Sequence, residues 1–322
     1  MPRTRVLTGA TKQLDRARQR GKLDRRRAER SGEHALQDLR AAFDAWLDTH
    51  LSGPDAADVE RIDLRAFLAT AAEVTRLAPV EVLRRLAIHL ESELGTGEQV
   101  LRSWLAVDRV YRTALRIEPR NADVHDSRGI TAQRFAASCK DLDGAWSDAR
   151  AGRRMLGVAQ GAAAMVLELL PDDPCSAYRL GNLSYEDPDG SIPDALTWLE
   201  RALALDPRHG WSRLFRAHCL HDLGRWSEAA ASYDGLDPAF FVEERAWRYE
   251  VVLEARAYCR LEAGDAEAAE AAFDALLTRW ESNPQLAEAA WGRYVGRAAA
   301  GPLPSLLPRW QALFSAPSTP LR

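Results

Sequence analysis

The chain has 322 residues, 46% of them hydrophobic, which is enough to bury a core in two ordinary domains or one elongated array and excludes disorder throughout. Its formal net charge of -4 excludes a protein that coats nucleic acid over its whole surface. Four cysteines, at 139, 175, 219 and 259, form no CxxC pair and no cluster, so neither a disulfide framework nor a zinc-ligand pattern is present; they read as small buried hydrophobes in a reducing compartment.

Residues 1–30 hold eleven Lys or Arg against three acids, a basic extension that the average charge hides. No apolar run follows these charges, so the centre of a secretory signal is missing and a cytoplasmic chain is expected. Its run RRRAER could neutralise phosphates without base selectivity or dock on an acidic protein, although few aromatics interleave with it. Residues 31–97 show helical apolar spacing in three runs: around Leu36, Leu39, Phe43 and Trp46, from Ile62 to Leu77, and from Pro79 to Leu94. SGPD at 52–55 separates the first from the second, and the three are predicted to form a helical N-terminal cap.

From 98 onward one pattern recurs. Small or apolar residues fall at Val107, Tyr111 and Ala114, at Ala159, Ala163 and Val166, and at Ala195, Leu199 and Ala202, each followed by a proline five residues on. Ala229, Tyr233, Leu236 and Ala269, Phe273, Leu276 repeat it with the proline displaced. The first positions lie 52, 36, 34 and 40 residues apart, and a period near 34 marks a solenoid of helix pairs. Alanine fits because a helix packed between two neighbours has room for little more than a methyl group, while proline stops one helix and starts the next. Before each downstream recurrence lies another helical run, PCSAYRLGNLSY at 174–185, GWSRLFRAHCLHDLG at 210–224 and EVVLEARAYCRLEAG at 250–264, with Gly224 and Gly264 placed to make the turns.

These residues resemble the tetratricopeptide repeat family. AYRLGNLSY followed by DALTWLERALALDP carries the resemblance best, and LHDLGRWSEAAASY and LEAGDAEAAEAAF are similar at the inter-helix turn. It covers residues 174–282 as repeats and 98–173 as divergent helices, where the unit beginning near Ala122 is about 18 residues too long. DPDGSIP at 187–193 expands one turn by two residues. The resemblance implies an all-α, right-handed superhelical solenoid of antiparallel helix pairs behind the N-terminal cap. Residues 283–315, where Asn283 and Pro284 open a helix through AEAAWGRYVGRAAA, are expected to close the last apolar face, and 316–322 to be a disordered tail.

Chemistry-bearing motifs are sparse. His218 and His221 with Cys219 do not reach the three or four converging ligands a metal needs, and DPDGS lacks the later glycine and closing acid of a calcium loop, Trp198 standing at that last position. GTGEQV at 95–100 is not a phosphate loop, and neither GxSxG nor HExxH occurs. A non-enzymatic chain without metal or cofactor is expected. The most apolar window, GVAQGAAAMVLELL at 157–170, is too short to span a bilayer and contains Gln160 and Glu168, so no membrane partner is expected either.

The resemblance also implies where a partner would sit, because such repeats present the first helix of each pair to a peptide in a concave groove. Helical phase assigns Tyr178, Arg179, Asn182 and Tyr185 to that surface from one unit, Trp211, Leu214, Phe215 and His218 from the next, and Val251, Glu254 and Tyr258 from the third. Phe215 and Tyr258 fall in the outward phase, Ala217 and Ala257 in the packed one. Chaperone-binding members clamp a C-terminal carboxylate with Lys, Asn and Arg; here only Asn182 matches, and Tyr178, Phe215, Glu254 and Tyr258 depart. The reading is a protein-interaction scaffold, bacterial in its Ala- and Arg-rich style, that binds a peptide or helix in an aromatic groove. The rival is a nucleic-acid-associated regulator that uses residues 1–30 on DNA or RNA and the repeats on a second partner.

Overall fold

A computed structural model describes residues 37–49, 51, 56–75, 77–94, 100–140, 146–241, 246–290 and 292–314. The basic extension 1–30, the SGPD separator and the tail 316–322 lie outside these. Among the described residues the chain is all-α, and the sole extended pairing is an isolated bridge between Lys140 and Trp146. No helix described is long and apolar enough to cross a membrane.

The chain divides into two compact units, the first taking in residues up to Asp141 and Trp146–Gly152, the second the rest. The boundary therefore falls inside the 98–173 segment that the sequence treats as one piece. The first unit contains α1 (37–49), α2 (Ala56–Arg61), α3 (Leu64–Val74), α4 (Pro79–Leu94), α5 (Val100–Ile117) and α6 (Ala122–Ala137). Its core joins Phe43 and Leu47 of α1, Leu83, Leu86 and Leu90 of α4, and Val107, Val110, Tyr111 and Ala114 of α5. The cap thus shares its apolar interior with α5, the helix that bears the first recurrence of the repeat pattern. Polar contacts fix the register: Arg40 pairs with Glu81 at 2.7 Å, Arg85 with Asp44 at 2.7 Å and Arg128 with Asp108 at 2.7 Å.

In the second unit the end of α7 (Ala149–Leu169) is followed by three helix pairs: α8 (Pro174–Glu186) with α9 (Ile192–Leu205), α10 (Gly210–Asp222) with α11 (Trp226–Asp234), and α12 (Ala246–Glu262) with α13 (Ala266–Ser282). All the small and apolar residues of the recurrent pattern are buried, Ala195, Leu199 and Ala202 at 0% exposure among them. Small residues set the spacing as the sequence implies. A Cβ on Gly181 would stand 2.7 Å from Leu199 Cγ, so α8 meets α9 at a distance only glycine allows. Ala202 packs with Ala163, Leu167, Ala177 and Leu180, bringing α7, α8 and α9 together.

The turns inside the pairs are chemically specified. Gly224 takes φ +70°, its N–H donates to the His221 carbonyl and the Arg225 N–H donates to that of Leu220, closing the last turn of α10. Gly264, at φ +90°, ends α12 in the same way. Between pairs, Asp173 caps α8 by accepting from Cys175 and Ser176 N–H ahead of Pro174, whereas His209 caps α10 through Nδ1, which accepts from Ser212 N–H at 3.2 Å. The run that Asn283 and Pro284 open is two helices, not the single one expected: α14 (Pro284–Ala290) and α15 (Arg293–Ala300) are separated at Gly292, whose φ of +56° breaks the run. A Cβ there would also lie 2.4 Å from the Phe314 ring of α16 (Leu307–Phe314), while the Gly292 carbonyl accepts from Trp310 Nε1 at 3.0 Å.

Candidate functional site

The residues assigned to the partner face lie on α8, α10 and α12, the first helices of the three pairs. They are joined by rings in contact. Phe215 is the hub of α10, with Tyr178 at 6.0 Å, Tyr185 at 5.7 Å, His218 at 5.8 Å and Trp211 at 6.4 Å. Tyr178 also meets His209 at 5.1 Å, and Trp211 packs edge-on against Phe240 at 5.0 Å. On the other side Tyr258 stacks on Tyr294 of α15 at 4.8 Å, and both touch His221.

Burial sorts these residues into two layers. Tyr178, Arg179, Tyr185, Trp211, His218, Val251 and Tyr258 are half-buried, whereas Asn182, Leu214, Phe215 and Glu254 are buried, Phe215 at 8% exposure and Glu254 at 1%. Phe215 is therefore not the outward anchor that helical phase suggests. A first helix here packs both on its own partner and on the preceding pair, so its apolar arc is wider than the alanine positions alone define. Asn182 is likewise internal and donates to Glu186 at 3.1 Å. Glu254 reaches α15, where its Oε1 accepts from the backbone N–H of Tyr294 at 2.6 Å and of Val295 at 3.0 Å, capping that helix from outside it. One turn earlier, Glu250 accepts from Arg279 and from Trp280 Nε1, tying α12 to α13.

The polar groups under the rings have shifted acidities. Burial pushes the His218 imidazole down to about 4, and its Nδ1 is hydrogen-bonded to the Tyr233 hydroxyl at 2.7 Å. Burial also pushes the Glu254 carboxyl up to about 7 against the two backbone N–H groups, which act to lower it. For Asp222, burial acts to raise the carboxyl, but hydrogen bonds from His221 Nδ1 at 2.9 Å and the Tyr185 hydroxyl at 2.8 Å outweigh it and hold the group below its ordinary value. Burial keeps the Tyr178 and Tyr185 phenols protonated. These interactions orient rings and close helix ends; beside them the exposed Cys175 Sγ lies 4.0 Å from His209 Nε2, whose Nδ1 is held by the Ser212 N–H. Among the described residues no group of three or more His, Cys, Asp or Glu could hold a metal ion. Cys139, Cys219 and Cys259 are buried, but Cys175 is exposed at the start of α8 and departs from the expectation of four buried thiols.

Three features escaped the sequence reading. His221, Trp226 and Tyr294 form a second ring cluster around Tyr258, with Trp226 edge-on to it at 6.1 Å. The Arg248 guanidinium lies 5.4 Å from the Trp211 ring and 4.7 Å from that of Trp247, which at 44% exposure is an outward-facing aromatic of α12. His209 serves as a helix cap rather than as a bystander. The alternation Trp247-Arg248-Tyr249 was the available signal for the second of these, since it opens the first helix of a pair.

Small residues at the α7, α8 and α9 contacts, two glycine-closed turns and three successive helix pairs make this a helical-repeat array. The repeats are tetratricopeptide-like. Two solved structures align at low similarity: a thermophilic TPR protein of Thermus thermophilus, at 16% identity and a TM-score of 0.37 over 67% of this chain and 97% of its own, and a monomeric mutant of IFIT1 with Gppp-AAAA, at 13% and 0.35 over 88% and 74%. No protein-family model matches the chain, and no curated protein does.

Proposed function

We propose that the chain is a non-catalytic interaction scaffold whose second unit binds a peptide or helix across α8, α10 and α12. The observation that supports this reading is the half-buried row Tyr178, Tyr185, Trp211 and Tyr258, each ring braced by another and each keeping an open edge. Aromatics held this way have lost their rotamer freedom before a partner arrives, so burying them costs little further entropy. Phe215, Asn182 and Glu254 support the row from beneath and are not contact residues in this reading. Arg248, stacked between Trp211 and Trp247, favours a partner with an acidic side chain next to an apolar anchor. The nucleic-acid reading rests on the charge of residues 1–30 alone.

Selection of a random peptide library on the immobilised full chain tests the proposal. One enriched motif should bind with saturation and lose about tenfold or more in affinity, about 1.4 kcal/mol, in the Trp211→Ala, Trp247→Ala double variant, with the melting temperature within a few degrees of wild type. Failure to enrich any motif, or equal affinity in a folded double variant, removes the reading.

A further inference from the structure

The first unit carries a basic pocket that the scaffold reading does not use. It has a volume of about 480 Å³, and among the described residues its lining is Arg109, Arg112, Leu115 and Arg116 of α5. The three arginines stand at i, i+3 and i+7, so their side chains share one face of the helix. Six other arginines of this unit are matched to carboxylates: Arg40 and Arg84 to Glu81, Arg85 to Asp44, Arg102 to Glu60, Arg128 to Asp108 and Arg134 to Glu91. The pocket arginines are different. Arg109 donates to the backbone carbonyls of Glu60 and Ile62 at the C-terminal end of α2, and Arg116 donates to the Thr113 hydroxyl at 2.8 Å. Arg112 is exposed, and among the described residues none of the three has a carboxylate within ion-pair distance.

The geometry points to this pocket as a binding site for a small phosphorylated anion. Three guanidinium groups with no carboxylate paired to them among the described residues leave a local excess of positive charge around a concave space. Each presents N–H donors in a planar fork, and the main-chain contacts that anchor Arg109 use two of its five. A phosphate or pyrophosphate supplies a charge near two and several acceptor oxygens, enough to engage more than one fork at once, whereas a single carboxylate satisfies only one. The pocket volume falls in the range of small-molecule sites rather than of an extended groove, and Leu115 offers an apolar wall to whatever carries the phosphate.

Calorimetric titration of the full chain with inorganic pyrophosphate at fixed ionic strength, with citrate as a polycarboxylate of similar charge, tests the site. Pyrophosphate should bind saturably at one per chain and more tightly than citrate. The Arg112→Gln, Arg116→Gln double variant, which alters two exposed side chains, should weaken it by about tenfold or more while melting as wild type does. Absence of saturable binding overturns the proposal, as does undiminished binding in the double variant, which would place the anion elsewhere, residues 1–30 included. Equal affinity for citrate would reduce the pocket to an unselective positive patch. A single-stranded oligonucleotide that displaces pyrophosphate at far lower concentration would assign the face to nucleic acid instead.

Discussion

The Tyr233 hydroxyl on α11 meets Nδ1 of His218 on α10 at 2.7 Å, joining the two helices of one pair through a histidine that burial keeps neutral. Burial lowers the folded-state value to about 4 from 6.5, so the unfolded chain binds a proton that the folded chain refuses. The stability from this group is therefore complete above pH 6.5 and is lost as pH falls toward 4. The loss should be on the order of 2–3 kcal/mol, and His218→Gln should flatten it. Denaturant unfolding of both proteins between pH 7 and 4 reads the difference, and parallel curves would detach this pair from the acid sensitivity.

Glu254 acts with the opposite sign. Its folded-state value is raised to about 7 from 4.5, so its contribution is complete below pH 4.5 and is lost as pH rises through 7. Both N–H bonds end on Oε1, so a proton on Oε2 does not remove them. Glu254→Gln should gain stability relative to wild type as pH rises across that window. Glu254→Leu should lose about 1–3 kcal/mol at neutral pH, because two buried N–H groups then lack an acceptor. The two variants are compared by denaturant midpoints at several pH values.

Glycine substitutions should divide by environment. At Gly181 an added methyl meets Leu199 at 2.7 Å and the Ala195 carbonyl at 3.1 Å, so Gly181→Ala should cost about 1–3 kcal/mol through overpacking. At Gly161, inside α7, nothing lies within 4 Å, and Gly161→Ala should stabilise by roughly 0.5–1 kcal/mol through helix propensity. Equal effects at the two sites would contradict the close approach of α8 and α9.

Ala202 gives the corresponding test between successive elements. It is fully buried among Ala163, Leu167, Ala177 and Leu180, so Ala202→Leu should force α7, α8 and α9 apart at a cost of about 1–3 kcal/mol. An unchanged thermal melt would show that the contact can relax without loss.

The helix pairs were legible because their signal is local. Ala195, Leu199 and Ala202 mark one packed stripe, and Gly224 and Gly264 occupy turn positions where other residues are strained. The partner face was only half legible. Helical phase distinguishes Phe215 from Ala217 but not an outward side from a second packed side, and that distinction depends on Tyr178 and Tyr185 arriving from α8. The break at Gly292 was hidden inside an alanine-rich run whose composition favours one helix. Nothing local marks the arginines of α5, because the carboxylates that neutralise Arg128 and Arg134 come from residues about twenty to forty positions away.

The two buried carboxylates of α12 set where the array can end. Glu250 is satisfied by α13, its own pair partner, but Glu254 is satisfied by the first backbone amides of α15. A derivative cut after Ser282 would keep three whole pairs and still expose an acid suited to lie under another helix, along with the Tyr258 face that Tyr294 covers. Shortened forms made for fusion or crystallisation should therefore retain residues through Phe314, or replace Glu254 and Tyr258 with side chains suited to water.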